Sequence, residues 1–518
     1  MQSFLTRHGS QIKGVLSGFD RVRFRGTLLW LANLSGVGTF LNDAGVLLKD
    51  FQNWALGLTD RIRDEAQALA KAAQRPLHYV NDSQLRKEDL ARQIAQRDSI
   101  ESGLVCVLTA VEPCMTFSVW RNREQKRLEL RPRSAKCLHH YYYLMHPRLG
   151  PMHVRLQTWL PFNVHVCING REWLARDLRR ARIGFEQRDN CFVEVADAAR
   201  AQQLFDAQLK VRWEALLDGL LADVHPTHAS LFGDRLLDYY WSAEQTEWAT
   251  DVMFHSPSAL AAHYPRWLHQ AMTTFRSGDV MRFLGRRPDI YRFKTAAVET
   301  SFKTRPEGVR VKHQINGNSV KMYDKQPTVL RIETTIHNPR DLKVFRPADS
   351  NPDGPKKWQK MRKGVADLHR RAQISQKSND RYLEALATVD CDTRFDSIVR
   401  TLCQPTTWHG RRVRALRPFE AEDCALLAAI ARGEFLLNGF RNRDLRPLLF
   451  GTKVAAASEA KRQAAKISRM IRMLRAHGIA QKVPKTHRYQ LTETGRNAIT
   501  ALHAAQNATV QQLTKLAA

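Results

Sequence analysis

The chain lacks the features that mark secreted, disulfide-stapled or membrane-spanning proteins. Its eight cysteines (Cys106, Cys114, Cys137, Cys167, Cys191, Cys391, Cys403, Cys424) are scattered, and none pair as C-x-x-C. That spacing disfavours a zinc ribbon and reads as reduced thiols, most of them small buried hydrophobes. Met1 to Lys13 holds no apolar stretch of the kind a secretory signal needs. No run approaches the length of apolar sequence that crosses a bilayer. The expectation is a cytoplasmic protein with no membrane partner. Acidic residues are also scarce, 51 Asp plus Glu against 81 Lys plus Arg, a net charge of +30. Such an excess in a folded chain points to a polyanionic partner, DNA or structured RNA. Disorder is excluded by composition, since 43% of residues are hydrophobic and 25% charged.

At 518 residues the chain is long enough for several domains. Alternating apolar and polar positions over 14–30 predict a strand or strand pair, and the β-branched run at 103–111 predicts a buried strand ending at Glu112-Pro113. Residues 138–168 read as a β-meander, 171–182 as a helix, 189–195 as a strand and 197–209 as a helix. Residues 210–300, including 235–254, read as mostly helical. Strands follow at 309–315, 319–323 and 329–336 around the Asn316-Gly317 turn. Three prolines, a glycine and several charges make 346–360 the best linker candidate. The expected fold is mixed α/β and α+β, multidomain, with a C-terminal winged helix-turn-helix. The expected regions are 1–215 (α/β), 216–415 (helical, with the central basic β segment 309–336) and 416–518 (winged helix).

Two constellations carry candidate chemistry. In the first, Lys312, Lys321, Tyr323, Lys325 and Arg331 crowd around Asp324 and Glu333. A period of two places Lys321, Tyr323 and Lys325 on one strand face, and Arg331 and Glu333 on one face of the next. Cations would offset phosphate charge, and the Tyr323 phenol can act as nucleophile or hydrogen-bond donor, with Glu333 beside it. The alternative is a set of structural ion pairs on a sheet. In the second constellation, Asp20, Glu112, Glu247 and Asp251 form a carboxylate cluster for Mg²⁺ or Mn²⁺, with Asp20, Glu112 and Asp251 as metal ligands. Glu247 and Asp251 are expected four apart on one helix face. The neighbouring run Tyr141-Tyr142-Tyr143 reads as sheet core; exposed, it would stack on unpaired bases.

The C-terminal segment repeats the order helix, helix, helix, hairpin, helix. Ile467, Met470, Ile471 and Leu474 make a buried stripe, Gly478 ends that helix, Asn442 is placed to cap a short helix, and Thr492 caps the last one. From Lys461 to Arg488 there are nine Lys or Arg and no Asp or Glu. Lys466, Arg469, Arg472 and Arg475 would face nucleic acid from the third helix, and Lys485 and Arg488 from the wing.

The pattern SRMIRMLRAHGIAQKV…HRYQLTETG resembles MarR-type winged helices. The segment K-M-Y-D-K followed by L-R-I-E resembles rolling-circle replication initiators of filamentous-phage and plasmid type. That family also uses a His-hydrophobic-His metal motif, and no His-x-His occurs here; His139-His140, His153 and His165 are the nearest histidines. Strings such as LSGFDRVRFRGTL and ARGEFLLNGFRNRDLRPLLF resemble a widespread family of uncharacterised bacterial proteins of roughly the same length. The resemblances imply a nucleic-acid-binding protein of a mobile genetic element, a replication-initiator-like or transposase-like nuclease. The alternative is a non-catalytic structured-RNA-binding or transcription-regulatory winged-helix protein.

Overall fold

Runs of β-branched and aromatic residues separated by turns build one long sheet. In the computed structural model its strands are β1 (Ile12–Leu28), β2 (Leu77–Tyr79), β3 (Gly103–Asn122), β4 (Arg127–His146), β5 (Gly150–Gln157) and β6 (Val164–Asn169). A separate hairpin follows, β7 (Phe185–Arg188) and β8 (Cys191–Val195). The sheet resumes with β9 (Tyr239–Phe254), β10 (Glu299–Arg305), β11 (Gly308–Ile315), β12 (Asn318–Lys325) and β13 (Val329–Ile336). The strand order is β10-β11-β12-β13-β9-β1-β6-β5-β4-β3-β2. Its pairings are antiparallel except β2–β3. The structure describes residues 1–509 apart from 83, 227, 233–236, 276, 286–297, 307, 349, 388–394, 432–434, 436–438, 452–456 and 485.

The mixed α/β class agrees with expectation, and so do the meander and the central hairpin. Several elements differ. Residues 239–254 form β9, not a helix, and lie between β1 and β13. Glu and Ala in that segment read as helical, but Tyr239, Trp241 and Ala243 alternate into the core and tertiary pairing on both sides decides the matter. Glu247 and Asp251 still share a face, because four residues is an even step along a strand. The run at 103–111 does not stop at Pro113; β3 continues through it to Asn122. The linker candidate 346–360 begins and ends in a small hairpin, Lys343–Arg346 with Lys357–Lys360, and its prolines lie in the connection.

Contacts divide the chain into two compact units rather than three consecutive regions. One comprises Met1–Gly9, Tyr264–Val298 and Asp380–Ala518; the other comprises Ser10–His263 and Glu299–Asn379. The sheet belongs to the second unit and runs through the boundary expected near 215, since β9 pairs with β1.

One face of the sheet is apolar. Phe19, Val22, Phe24, Leu28, Tyr142, Val154, Val164, Val166 and Trp241 build its core with the helix Phe51–Ala72. Under β9 and β13, the helix Leu368–Leu386 contributes Asn379, which accepts from Thr334 at 2.7 Å and donates to the Trp248 carbonyl at 3.2 Å. The opposite face is polar along much of its length. Its β1 corner is covered by helices Gly170–Arg180 and Ala198–Ala207 with the β7–β8 hairpin, where Leu16, Leu174, Phe192 and Phe205 pack together. Two glycines permit this cover. A Cβ on Gly18 would lie 2.4 Å from the Phe205 ring, and one on Gly170 would lie 2.2 Å from the Phe19 carbonyl.

The other unit holds the C-terminal elements. Helices Ala421–Ile430, Asn442–Phe450 and Ala457–Ala476 are followed by the paired strands Ala480–Lys482 and Tyr489–Leu491 and the helix Glu493–Asn507. Ile467, Met470, Ile471 and Leu474 are buried, Gly478 has φ +69°, and Thr492 accepts from the Gly495 amide at 2.9 Å, as expected. Asn442 differs: it lies inside its helix and donates to the Ala464 carbonyl and Ser468, tying that helix to the next.

Candidate functional site

The polar face is organised around one irregularity in β1. Phe19 pairs with Trp248 and Arg21 with Glu247, so Asp20 is an extra residue opposite no partner. This β-bulge turns Asp20 and Arg21 toward the same side, a common device for aiming a side chain at a site. On the adjacent strand β9, Glu247 and Asp251 project from that face, and on β13 Arg331 and Glu333 do so, aligned by the pairs Asp251–Arg331 and Ala249–Glu333. On β12, Lys321 and Tyr323 stand opposite Glu333 and Arg331.

These registers bring three carboxylates together. Asp20, Glu247 and Glu333 each offer an oxygen, and the three oxygens lie within 4.8 Å of one another. Lys321 donates to Glu333 and lies 3.7 Å from Glu247. The Tyr323 hydroxyl donates to the second Glu333 oxygen. Asp20 accepts from Arg331 at 2.8 Å and from Asn190 at 2.8 Å, with Arg171 at 3.5 Å. Asp251 takes Arg331 at 2.6 and 2.8 Å and Arg171 at 3.1 Å.

The electrostatics divide the acids. Burial disfavours ionised Asp20, but the guanidiniums of Arg331 and Arg171 outweigh it and hold the carboxyl below its ordinary value. Burial likewise opposes ionisation of Glu333, and Lys321 outweighs it. Glu247 goes the other way: burial, then the nearby Glu333 charge, raise it. Glu247 is also the most open of the three, its side chain 17% exposed against 3% for Glu333. The free site therefore holds two stable anions and a third carboxyl that retains its proton more readily.

An all-oxygen donor set of this kind suits a hard divalent cation such as Mg²⁺ or Mn²⁺. The separations are compatible with ligands on one small ion, so the residues present fit the cation expected from sequence.

The expected metal set is thus rearranged. Asp20 belongs to the cluster and Glu333 joins it, while Asp251 serves as the anchor of two arginines. Glu112 lies four strands from β1, on β3. It accepts from Tyr141 at 2.5 Å and Lys87 at 3.1 Å and pairs with Arg155 at 2.8 Å. Those partners bring its carboxyl below the usual range against the opposing effect of burial. Arg331 is fully buried and holds carboxylates, and Lys325 reaches the Asn190 carbonyl at 3.4 Å. Lys312 is half-buried beside Lys321 across the β11–β12 pair. Sequence reasoning missed Arg171 and Asn190. The Asn169-Gly170 turn was readable, but not that close packing of Gly170 on β1 would deliver Arg171 to two aspartates.

In the C-terminal elements Arg469 and Arg472 are exposed. Lys466 pairs with Glu422 at 2.8 Å, Arg475 lies over Trp408 at 4.6 Å, and Arg488 donates to the Gly439 carbonyl at 3.3 Å. Lys485 lies outside the described residues.

Taken together, fold and site define a class: a long, largely antiparallel sheet bearing an acidic triad on its polar face. Compared with known proteins, the chain matches no family model, no curated protein and no solved structure.

Proposed function

We propose that this chain is a metal-dependent nucleic-acid-processing protein, a nuclease or strand-transfer enzyme of the replication-initiator or transposase kind. The observation that carries the reading is the convergence of Asp20, Glu247 and Glu333 from three neighbouring strands, with Lys321 beside them. A divalent cation held there would supply Lewis-acid polarisation of a phosphodiester and a more acidic water. Around it, Arg331 and Arg171 fix Asp20, and Lys321 and Tyr323 orient Glu333. Glu247 exchanges its proton with solvent. Arg21, Arg23 and Arg25 share the polar face along β1 and would carry the sugar-phosphate backbone. Tyr323 is a positioning group in this arrangement rather than a nucleophile, because its buried hydroxyl is committed to Glu333 and burial raises its pKa well above the ordinary phenol value.

The C-terminal order of three helices, a hairpin and a helix supports a winged-helix reading, with Arg469 and Arg472 exposed on its third helix. That element would select the target, leaving chemistry to the sheet.

The experiment is Mn²⁺ titration by calorimetry, together with cleavage of labelled single- and double-stranded DNA and RNA. Wild type should bind Mn²⁺ and cut one of these substrates only with metal present. Glu333→Gln should lose both while retaining its thermal unfolding transition. Salt-sensitive binding with neither metal uptake nor cleavage would leave the buried charges as a structural network in a binding protein.

A further inference from the structure

A second concavity opens beside the acidic triad on the same face of the sheet. Its floor is a register-aligned row, Tyr143 on β4, His153 on β5 and Cys167 on β6, and Arg21 of β1 extends it toward the carboxylates. The helix Lys87–Arg97 forms one wall, presenting Glu88, Arg92 and Ala95. The other wall carries Asn169 and Asn190. The volume is about 660 Å³, within the range of small-molecule sites.

Three properties of this cavity define its ligand. First, its floor offers flat rings: Tyr143 and His153 lie 5.1 Å apart at 41°, and Tyr141 stacks on the Tyr143 side at 6.5 Å and 13°. His153 is depressed to about 4, by burial and then by Arg23 and Arg21, so the imidazole is neutral at physiological pH and can stack without a charge. Second, the lining combines the amides of Gln96, Asn169 and Asn190 with four carboxylates, Glu88, Glu101, Glu172 and Asp189, which can accept from the donor edge of a base, and with the two guanidiniums of Arg21 and Arg92, which can hold a phosphate. Third, the cavity is joined to the triad by a hydrogen-bond chain. Asn169 donates to Asn190 at 2.8 Å, and Asn190 donates to Asp20 at 2.8 Å. Arg21 stands within electrostatic reach of Glu88 in the wall and of Glu247 and Asp20 in the triad.

We infer that this cavity holds one unpaired nucleotide of a single-stranded nucleic acid, its base on the Tyr143–His153 floor and its phosphate toward Arg21. The inference rests on the phosphodiester reading above and adds to it a substrate state. A base paired in a duplex is stacked on both sides and cannot enter, so the strand must arrive single or be opened locally.

The test uses the full chain and compares wild type with Ala95→Trp, which fills the cavity from a half-buried helix position, and with His153→Ala. Displacement of a labelled single strand is measured with nucleoside 5′-monophosphates and with inorganic phosphate, and Mn²⁺ binding is measured in parallel. The monophosphates should displace the strand at concentrations at least about tenfold below phosphate. Ala95→Trp should erase that advantage and weaken single-strand binding about tenfold, the scale of one stacked base. His153→Ala should reduce both in the same direction, and Mn²⁺ affinity should stay unchanged in both variants. Monophosphates no better than phosphate, or an Ala95→Trp variant that binds like wild type, would overturn the inference; intact Mn²⁺ binding would then leave the carboxylate reading standing. A wild type that takes up neither Mn²⁺ nor single strand would remove both.

Discussion

Glu112 and Glu247 lie on the same face of one sheet, both half-buried among cations, yet their surroundings set opposite behaviour. Glu112 has Lys87, Arg155 and the Tyr141 hydroxyl to itself. Glu247 shares Lys321 with Glu333 and faces Asp20 as well. The first carboxylate is satisfied by the fold, and its partners outweigh burial. The second is raised by burial and then by the Glu333 charge, which Lys321 and Arg21 do not outweigh. Burial and polarity alone therefore do not set the behaviour of a carboxylate; the number of acids that share each cation does.

The strongest disturbance of this comparison is removal of the charge that permits it. Arg331→Met should leave Asp20 and Asp251 buried beside Arg171, with Asn190 still donating to Asp20. The expected cost is about 3–5 kcal/mol in denaturant unfolding, the scale for breaking a buried ion pair from one side. A loss below about 1 kcal/mol would show that the aspartates relax or take up protons cheaply.

Next come the two glutamates themselves. Glu247→Gln should weaken Mn²⁺ binding at least tenfold and leave stability near wild type, whereas Glu112→Gln should leave Mn²⁺ binding unchanged and cost about 1–2 kcal/mol of stability. Equal effects at the two positions would erase the distinction.

The pH dependence sharpens the same contrast. Since Glu247 is raised above the ordinary carboxylate value, Mn²⁺ affinity should climb as pH rises above the ordinary carboxylate range and then level off. In Glu247→Gln the climb should flatten. Stability follows the opposite rule for this group. The folded chain keeps a proton that the unfolded chain has lost, so the Glu247 contribution is complete at low pH and fades as pH rises. The contributions of Asp20 and Glu333, whose values are lowered, are present above the ordinary carboxylate range and vanish on acidification.

The smallest effect concerns the C-terminal helix. Arg472→Ala should reduce the salt dependence of nucleic-acid binding by about one ion, while Lys466→Ala, whose ammonium already pairs with Glu422, should change it less. Binding measured across a salt series separates the two.

The same contrast explains what the sequence could disclose. The Lys321–Tyr323 and Arg331–Glu333 face was readable because it depends on two short strands joined by a three-residue turn at 326–328, and β12 and β13 pair as that pattern requires. The carboxylate set was only partly readable. Asp20, Glu247 and Glu333 could each be named, but they are far apart in the chain and meet through strand order, which alternation does not specify. Glu112 enters the expected cluster as the acid that ends a buried strand, an argument blind to the four strand spacings between β1 and β3. The strand β9 was hidden by its Glu and Ala content, and with it the neighbour that places Glu247 beside Glu333.

The bulge in β1 has a genetic consequence. From residue 14 to residue 20 the even-numbered positions face the polar side, and from residue 21 the odd-numbered ones do, as Phe19 and Val22 both facing the apolar core makes plain. Asp20 is the supernumerary residue at that change of phase. Excising its codon would leave Phe19 and Arg21 in unbroken alternation opposite Trp248 and Glu247. Asp20 is thus a residue that β1 can spare, as is Lys13 at the strand's other bulge, and a single in-frame deletion would remove one carboxylate of the triad while keeping the strand.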